Sequence, residues 1–161
     1  MSNVITTYLE MNSPSEFIEK PDSKELTIVE VEIKDFRFNR YLYGLVGELW
    51  YWTDKLALSD AEWEEYAESD NLRTWVAYYR GSIVGYFELN SDSEFNVEIA
   101  YFGLAPKFIG KGYGGYLLSR AIKSAWQDCG AKRVWVHTCT LDHPNALRNY
   151  QACGLKVYLV E

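Results

Sequence analysis

The sequence predicts a fold of the α/β class, with helices flanking one mixed sheet in an α+β arrangement, and three observations lead to this prediction. Residues 74–105 form three antiparallel runs of strand character, the first two joined at Arg80-Gly81 as in a hairpin. Residues 106–130 pass from a glycine cluster into a helical pattern. Residues 133–161 have the pattern of a strand, a helix and a strand. A chain of this length fits one domain with a substantial core, so we expect a single domain over 1–161.

The first half of the chain predicts two strands and then two helices. Residues 1–33 contain the apolar, β-branched runs ITTYLEM and LTIVEVEI, separated by a polar loop with two prolines. Residues 36–68 have helical spacing, and the first helix is expected to extend to about Trp52. Ser59 stands three residues before Glu62, which is the arrangement of a capping box and predicts the start of the second helix.

The second half predicts two helices between strands. A helix from about residue 113 ends at Gly130, and a last helix runs from Pro144 to Cys153 with the proline in its first turn. The segments RVWVHTCT and LKVYLV are strands. One apolar face of the first of these helices is formed by Leu117, Leu118, Ala121, Ile122, Ala125 and Cys129.

Composition excludes several classes of function. The formal net charge of −7 argues against a protein that binds a nucleic-acid backbone, and a cationic small molecule suits this charge better. The three cysteines, Cys129, Cys139 and Cys153, are not spaced as a disulfide framework or a metal site. No run of apolar residues is long enough for a membrane span, and no targeting segment is apparent, so we expect no metal, no membrane and a cytoplasmic location.

Four glycines fall within six positions, at the start of a predicted helix. The N terminus of a helix carries unpaired N–H groups and a partial positive charge, and glycines leave room for an anion such as phosphate to reach them. The P-loop pattern fails, because Gly112 follows Lys111 where Ser or Thr is needed. The dinucleotide pattern GxGxxG matches at Gly110, Gly112 and Gly115, but no acidic residue occurs in 131–141 and too little chain follows.

A third phosphate motif fits better and comes with a second signature. The segment NVEIAYFGLAPKFIGKGYGG, an amphipathic helix, a strand and then DHPNALRNYQACGL together resemble the GCN5-related N-acetyltransferases, the GNAT superfamily. The first signature of that family is Gln or Arg, two residues, Gly, one residue, and Gly or Ala, and it reads Lys107 to Gly112 here. The second is an Asn early in the next helix and a later Tyr, and it corresponds to Asn145 and Tyr150. The element order matches over nearly the whole chain.

The resemblance implies that acetyl-CoA is the donor substrate, bound where the strand before the glycines and the strand after the next helix splay apart. Its pyrophosphate is expected on the main-chain amides of about 109–115, and its pantetheine is expected to pair with the strand at 102–104. The alternative for Asn145 is a residue that caps its own helix. The expected binding residues are Phe102, Gly103, Leu104, Lys107, Ile109, Gly110, Lys111, Gly112, Tyr113, Gly114, Gly115 and Asn145.

Transfer of an acetyl group to an amine needs a base and an acid. Glu98 interrupts an apolar strand and is expected to share a face with Ala100 and Phe102, and by the resemblance it matches the glutamate base of histone-type members. A salt-bridged strand residue is the alternative role. Tyr150 is the expected general acid, with a packing role as its alternative. His137, Asp142 and His143 are the alternative candidates for the base and are called the reserve bases below.

The acceptor is expected to be a primary amine, small and possibly cationic, that enters beside the segment between the first two helices. Trp50, Tyr51, Trp52 and Trp63, with Asp54, Asp60, Glu62, Glu64 and Glu65, predict an aromatic and acidic rim there, although an amphipathic helix pair explains the same residues.

Two departures from the family pattern are visible. Lys107 replaces Gln or Arg, and the final two-strand hairpin of the family is reduced to one strand, a loss that the extra N-terminal strand is expected to cover in part. The family habit also implies a homodimer. A catalytically silent acyl-CoA-binding regulatory module and a nicotinamide-nucleotide domain are the alternatives to the enzyme.

Overall fold

The computed structural model describes residues 3–22 and 25–161 and contains one seven-stranded mixed sheet with helices on both faces. The predicted α/β fold is confirmed. The sheet order is β2-β3-β4-β5-β6-β1-β7. The strands are β1 (Thr6–Met11), β2 (Thr27–Glu30), β3 (Leu72–Tyr79), β4 (Ser82–Ser91), β5 (Asn96–Leu104), β6 (Arg133–Cys139) and β7 (Lys156–Val160), and the helices are α1 (Phe36–Gly47), α2 (Asp60–Ala67), α3 (Gly114–Gln127) and α4 (Ala146–Ala152).

Two cores lie on opposite faces of the sheet because successive strand residues point to opposite sides. The larger core packs the apolar face of α3 against the sheet, and Leu117, Leu118 and Ile122 are fully buried in it. The smaller core lies under α1, where Leu42 and Val46 contact the other face. Burial of each such side chain stabilises the fold by roughly 1.5–3 kcal/mol.

The first three helices begin at or next to the residues that their sequence signals predict. Ser59 accepts a hydrogen bond from the Glu62 amide while the Glu62 carboxylate accepts one from the Ser59 amide, so the predicted capping box of α2 is confirmed. The first helix is shorter than predicted: α1 ends at Gly47, and a 3-10 turn and Tyr51 in the left-handed region follow. A Cβ at Gly47 would lie 2.5 Å from the Trp52 Cβ, so the chain folds back tightly over this glycine.

The last helix also begins later than predicted. α4 starts at Ala146, after the N-cap Asn145, so Pro144 precedes the first turn and does not belong to it. The Asn145 side chain makes no capping hydrogen bond, and the alternative role of capping is therefore wrong. Gly154 follows the helix with φ +105°.

The N-terminal strand β1 takes an interior place in the sheet. It pairs antiparallel with β6 on one side and with β7 on the other. The chain thus supplies from its N terminus the strand that separates β6 from β7. This position explains how the sheet accommodates a C-terminal segment with only one strand.

Candidate active site

A cleft of about 880 Å³ opens in the middle of the sheet, where β5 and β6 separate. These two parallel strands pair only over 96–98 and 133–135. Beyond this point they diverge, and the rest of β5 presents its edge to the cleft instead of to β6. Backbone N–H and C=O groups at a diverging edge can pair with an extended ligand that contains amides.

A bulge in β5 determines which side chains face which side of this cleft. Ile99 pairs with Leu89 and Tyr101 pairs with Glu88, so Ala100 is the extra residue. The extra residue reverses the alternation. Glu98 therefore shares its face with Tyr101, not with Phe102, and that part of the sequence prediction is wrong.

The bulge separates the two functional halves of the cleft. Tyr101 joins the smaller core on the α1 side, whereas Phe102 and Leu104 pack against the larger core on the α3 side. Glu98 thus points toward the side where α1 and α2 lie. The 102–104 segment lies between this side and the glycine loop.

The glycine loop and the start of α3 form one end of the cleft. Gly110 and Gly112 have φ of +80° and +87°, a region that side chains disfavour, so the loop itself requires glycine at both positions. Gly115 has no positive φ, and a Cβ built there would meet no protein atom within 4 Å. Since the protein does not require glycine at 115, the open space beside the helix N terminus fits the approach of a ligand.

Most of the predicted binding residues line the cleft, and three do not. Lys107 and Lys111 are exposed outside it, and Tyr113 is buried against Phe108, with ring centroids 5.9 Å apart. Tyr113 is the N-cap residue of α3, and its side chain does not cap the helix. The predicted residues that line the cleft are Phe102, Gly103, Leu104, Ile109, Gly110, Gly112, Gly114, Gly115 and Asn145.

Glu98 lies in the cleft at the point of divergence. Its Oε2 atom is 3.8 Å from Nε2 of His137 on β6, and its side chain is 22% exposed. Burial raises the pKa of Glu98, and the charges of His137 and Lys55 oppose this effect. A half-desolvated carboxylate with a raised pKa is suited to accept a proton near neutral pH.

Tyr150 lies on the opposite wall, on α4, and is 7% exposed. Its ring meets that of Phe102 edge to face, at an interplanar angle of 61° with centroids 6.5 Å apart. Burial raises the pKa of Tyr150 well above its ordinary value, and the charge of Asp142 acts in the same direction. Within residues 3–22 and 25–161, the Tyr150 hydroxyl has no hydrogen-bond partner, so its proton is available to a ligand.

The reserve bases also line the cleft, and Asp142 and His143 both accept hydrogen bonds from other residues of the chain. Asp142 accepts hydrogen bonds from the Thr138 hydroxyl and the Cys139 amide, which leaves it a loop-stabilising role. His143 accepts a hydrogen bond from the Asn145 amide through Nδ1 and packs against Trp50 at 5.1 Å.

The predicted acceptor rim is aromatic but largely not acidic. Trp50, Tyr51, Trp52 and Asp54 line the cleft, whereas Trp63 is buried in the helix pair. The α2 carboxylates face elsewhere, because Asp60 pairs with Arg40 and Glu62 belongs to the capping box, while Glu64 and Glu65 are exposed outside the cleft.

Sequence reasoning missed a polar cluster under this rim. Glu88 on β4 is 1% exposed and accepts hydrogen bonds from the Tyr66 hydroxyl and from Asn39 Nδ2, at 2.9 Å for the latter. Lys55 lies beside it, with Nζ 3.6 Å from the centre of the Tyr66 ring. Glu88 interrupts an apolar strand just as Glu98 does, and this shared signal was available in the sequence.

A comparison with models of protein families shows to which family the chain belongs. A model of the acetyltransferase (GNAT) family matches residues 38–155, which is most of the chain and includes every predicted site residue. The chain belongs to the GNAT acetyltransferase family. The expected resemblance is thus confirmed, and no curated protein sequence matches the chain significantly.

Solved structures show the same fold around this GNAT domain. A GCN5-related N-acetyltransferase from Kribbella flavida is 17% identical with TM-score 0.70, and the match covers 97% of this chain and 55% of that one. A second, from Sphaerobacter thermophilus, is 15% identical with TM-score 0.73, covering 98% and 49%. A spermidine N-acetyltransferase from Vibrio cholerae, in complex with CoA and spermine, is 24% identical with TM-score 0.64, covering 81% and 80%. The GNAT chain thus spans about half the length of the first two.

The GNAT site fits coenzyme A in its own geometry. The open space at Gly115 admits an anion to the start of α3, and the diverging edge of β5 offers peptide groups to an amide-bearing chain. Among the described residues, no group of three or more His, Cys, Asp or Glu could hold a metal ion, and no helix is both long and apolar enough to cross a membrane.

Proposed function

We propose that this GNAT protein transfers the acetyl group of acetyl-CoA directly to a primary amine within a ternary complex. The observation that carries the proposal is the meeting of three features in one cleft. They are the diverging edge of β5, the open helix N terminus at Gly115, and the two titratable groups Glu98 and Tyr150, which both line the cleft.

The donor half of the cleft is proposed to bind through main-chain groups. Amides of 109–115 hold the pyrophosphate at the positive end of α3, and 102–104 pairs with the pantetheine as an added strand. Asn145 is the proposed side-chain partner of the pantetheine, because it is exposed to the cleft and does not cap α4. Bound CoA in the Vibrio cholerae spermidine N-acetyltransferase supports this use of the shared fold.

The chemistry then requires two proton transfers by residues of the chain. Acetyl-CoA supplies an activated thioester. Glu98 accepts a proton from the acceptor ammonium, directly or through a water molecule, so that the neutral amine nitrogen can form the new C–N bond. Tyr150 donates its hydroxyl proton to the sulfur as the C–S bond breaks, which releases the CoA thiol. The second proton that the nitrogen loses as it becomes an amide nitrogen passes through water to the Tyr150 phenolate and restores the acid. Burial keeps Tyr150 protonated at neutral pH, as an acid requires.

The test is release of the CoA thiol with a panel of amines, measured on the wild type, Glu98→Gln and Tyr150→Phe. We expect each variant to lose about 10²- to 10⁴-fold in kcat, the usual range for acid–base groups. Acetyl-CoA affinity, measured by calorimetry, is expected to stay within threefold of the wild type. Glu94→Gln and Tyr41→Phe are matched controls, because both residues are exposed outside the cleft.

Three results would count against parts of this proposal. Tight acetyl-CoA binding without turnover of any amine would favour the silent regulatory module. Competition of NAD with acetyl-CoA at similar affinity would favour the nicotinamide-nucleotide domain. Unchanged kcat in both variants would remove Glu98 and Tyr150 from the chemistry while leaving the acetyltransferase intact.

A further inference from the structure

The aromatic side of the cleft already contains a cation of the protein itself. Lys55 follows the 3-10 turn after α1, and its Nζ lies 3.6 Å from the ring centre of Tyr66 and 5.8 Å from that of Tyr101. All three residues line the cleft. An aromatic surface that would attract a cationic acceptor is therefore occupied by an ammonium group, and a second cation there would meet like charge.

In the described part of the chain, the ammonium group of Lys55 contacts aromatic rings and no hydrogen-bond acceptor. Within residues 3–22 and 25–161, no carboxylate lies within 4 Å of its Nζ and no oxygen accepts a hydrogen bond from it. The nearby Glu88 has one oxygen occupied by Tyr66 and the other by Asn39. Desolvation of a charged donor costs free energy that a partner of opposite charge offsets, so a half-buried ammonium at this position favours an anionic group in the cleft.

The position of Lys55 relative to Glu98 gives the cleft two opposite charges. Because of the bulge at Ala100, Glu98 and Tyr101 lie on one face of β5, three residues apart. At a strand rise of about 3.3 Å per residue, the backbone spacing between Glu98 and Tyr101 is at most about 10 Å, and Lys55 lies near enough for its charge to lower the pKa of Glu98. A short molecule with an ammonium at one end and an anionic group at the other can span it.

We propose that Lys55 binds an anionic group of the acceptor, so that the preferred acceptors are short amines bearing a carboxylate. The acceptor carboxylate contacts Lys55 between Tyr66 and Tyr101, and the acceptor amine points toward Glu98. This inference rests on the proposed acetyltransferase function and differs from the expectation of a cationic acceptor. Lys55 acts here as a specificity residue, because it contacts the acceptor and takes no part in the proton transfers.

The first experiment compares matched acceptors that differ only in the anionic group. Glycine is paired with glycinamide, and 4-aminobutyrate with butylamine, and release of the CoA thiol is measured for each at saturating acetyl-CoA. We expect kcat/KM to be at least tenfold higher for the carboxylate of at least one pair. In Lys55→Met, which keeps the length of the side chain, KM for that carboxylate is expected to rise at least tenfold, with kcat within threefold.

Controls separate charge from packing. Lys55→Arg keeps the charge and is expected to retain the preference for the carboxylate at least in part. Lys156→Met removes an exposed lysine of β7 outside the cleft and is expected to change neither pair. Glycinamide and butylamine, which lack the carboxylate, are expected to lose less kcat/KM in Lys55→Met than the carboxylates lose.

A binding measurement keeps the inference testable if no acceptor in the panel is turned over. Butyrate and butyramide are titrated calorimetrically into the full chain, with and without CoA. Binding of butyrate that exceeds that of butyramide at least tenfold and is lost in Lys55→Met supports the anion site, whatever the fate of the enzymatic proposal. Failure of acetyl-CoA to bind overturns the proposed function. The butyrate titration then still decides whether Lys55 binds an anion, and equal binding of butyrate and butyramide overturns that inference.

Three outcomes overturn the inference while the acetyltransferase stands. The first is equal kcat/KM within each matched pair. The second is a preference for spermidine over the carboxylates that survives in Lys55→Met. The third is acetylation of Lys55 itself, found by mass spectrometry after incubation with acetyl-CoA, because that would make its amine an acceptor and remove its charge.

Discussion

Glu98 and His137 face each other from β5 and β6 at the point where these strands separate, with 3.8 Å between Oε2 and Nε2. Burial raises the pKa of Glu98, and positive charge on His137 opposes that rise because it favours the carboxylate. The protonation of the proposed base therefore depends on the charges of His137 and Lys55 as well as on the burial of Glu98.

Replacement of His137 is expected to change the pH profile of the enzyme. His137→Gln removes the charge that lowers the pKa of Glu98, so this pKa rises further and Glu98 stays protonated to higher pH. The acidic limb of kcat/KM should then move to higher pH, and the limb should be absent in Glu98→Gln. The measurement is the pH dependence of CoA release with one amine. His143→Gln, which replaces the histidine beside Trp50, is the control and should leave the limb in place; a limb unmoved by His137→Gln would contradict the pairing.

Substitution of Gly115 is expected to separate stability from donor binding. Gly115→Ala adds a methyl group in open space at the start of α3, and the change should stabilise the fold by about 0.4–1 kcal/mol because alanine restricts the unfolded chain. The same methyl group lies where the pyrophosphate is proposed to approach, so acetyl-CoA affinity should fall at least about tenfold, or 1.4 kcal/mol. Urea unfolding and calorimetric titration measure the two effects.

The control for this prediction is a glycine in similar surroundings away from the cleft. Gly44 lies within α1, and a Cβ built there also meets no atom within 4 Å. Gly44→Ala should stabilise the protein without any change in acetyl-CoA affinity. Unchanged affinity in Gly115→Ala as well would place the pyrophosphate elsewhere.

Loss of the Tyr66 hydroxyl is expected to destabilise the protein in a pH-dependent way. Tyr66 donates a hydrogen bond to the buried Glu88, and a bond to a charged group contributes roughly 1.5–3 kcal/mol. Burial raises the pKa of Glu88 and this hydrogen bond lowers it, so Tyr66→Phe raises the pKa further. The folded state of the variant then binds more protons than the unfolded state over a wider pH range, and the free energy of unfolding falls more steeply as pH rises.

Urea unfolding at pH 5 and pH 8 tests the direction of this pH dependence of the free energy of unfolding. The loss in Tyr66→Phe should be larger at pH 8, where Glu88 is more fully ionised. Tyr41→Phe, on the exposed side of α1, should have little effect at either pH. Equal losses at the two pH values would mean that Glu88 does not change its protonation between them.

Removal of the Tyr86 hydroxyl is expected to stabilise the protein. Tyr86 is fully buried under α1, and within the described residues its hydroxyl finds no hydrogen-bond partner. An unsatisfied buried polar group costs roughly 1–3 kcal/mol, so Tyr86→Phe should raise the free energy of unfolding by about 1 kcal/mol. The measurement is urea unfolding with Val76→Ala, a cavity-forming variant of the same core, as a destabilised reference. A decrease in Tyr86→Phe would show that the hydroxyl is satisfied by buried water.

Most of the secondary structure and the glycine loop before α3 followed from local signals. The capping box at Ser59, the Arg80-Gly81 turn and the apolar face of α3 are contacts between residues close in sequence, and the structure contains all three. The glycines lead into α3 as expected. Sequence periodicity predicted these elements because their causes are local.

The arrangement within the cleft could not be predicted in the same way. Simple alternation placed Glu98 with Phe102, and only the pairing of β5 with β4 reveals the extra residue at Ala100. The acidic residues of α2 were expected at the rim, but the helix turns them away from the cleft. Lys55 carried no signal, because its role depends on rings contributed by α2 and β5, which are distant in sequence.

The interior position of β1 has a consequence for the order in which the protein is made. Thr6 pairs with Cys139, and the other edge of the strand pairs with β7, so neither neighbour exists when β1 is synthesised. More than a hundred residues must be synthesised after β1 before its partner strands exist. Until then, the side chains of Leu9 and Met11 cannot be buried in the sheet core. Contacts of such sequence separation slow folding and expose nascent chains to aggregation, so we expect completion of the sheet to be a late, post-translational event for which chaperones compete.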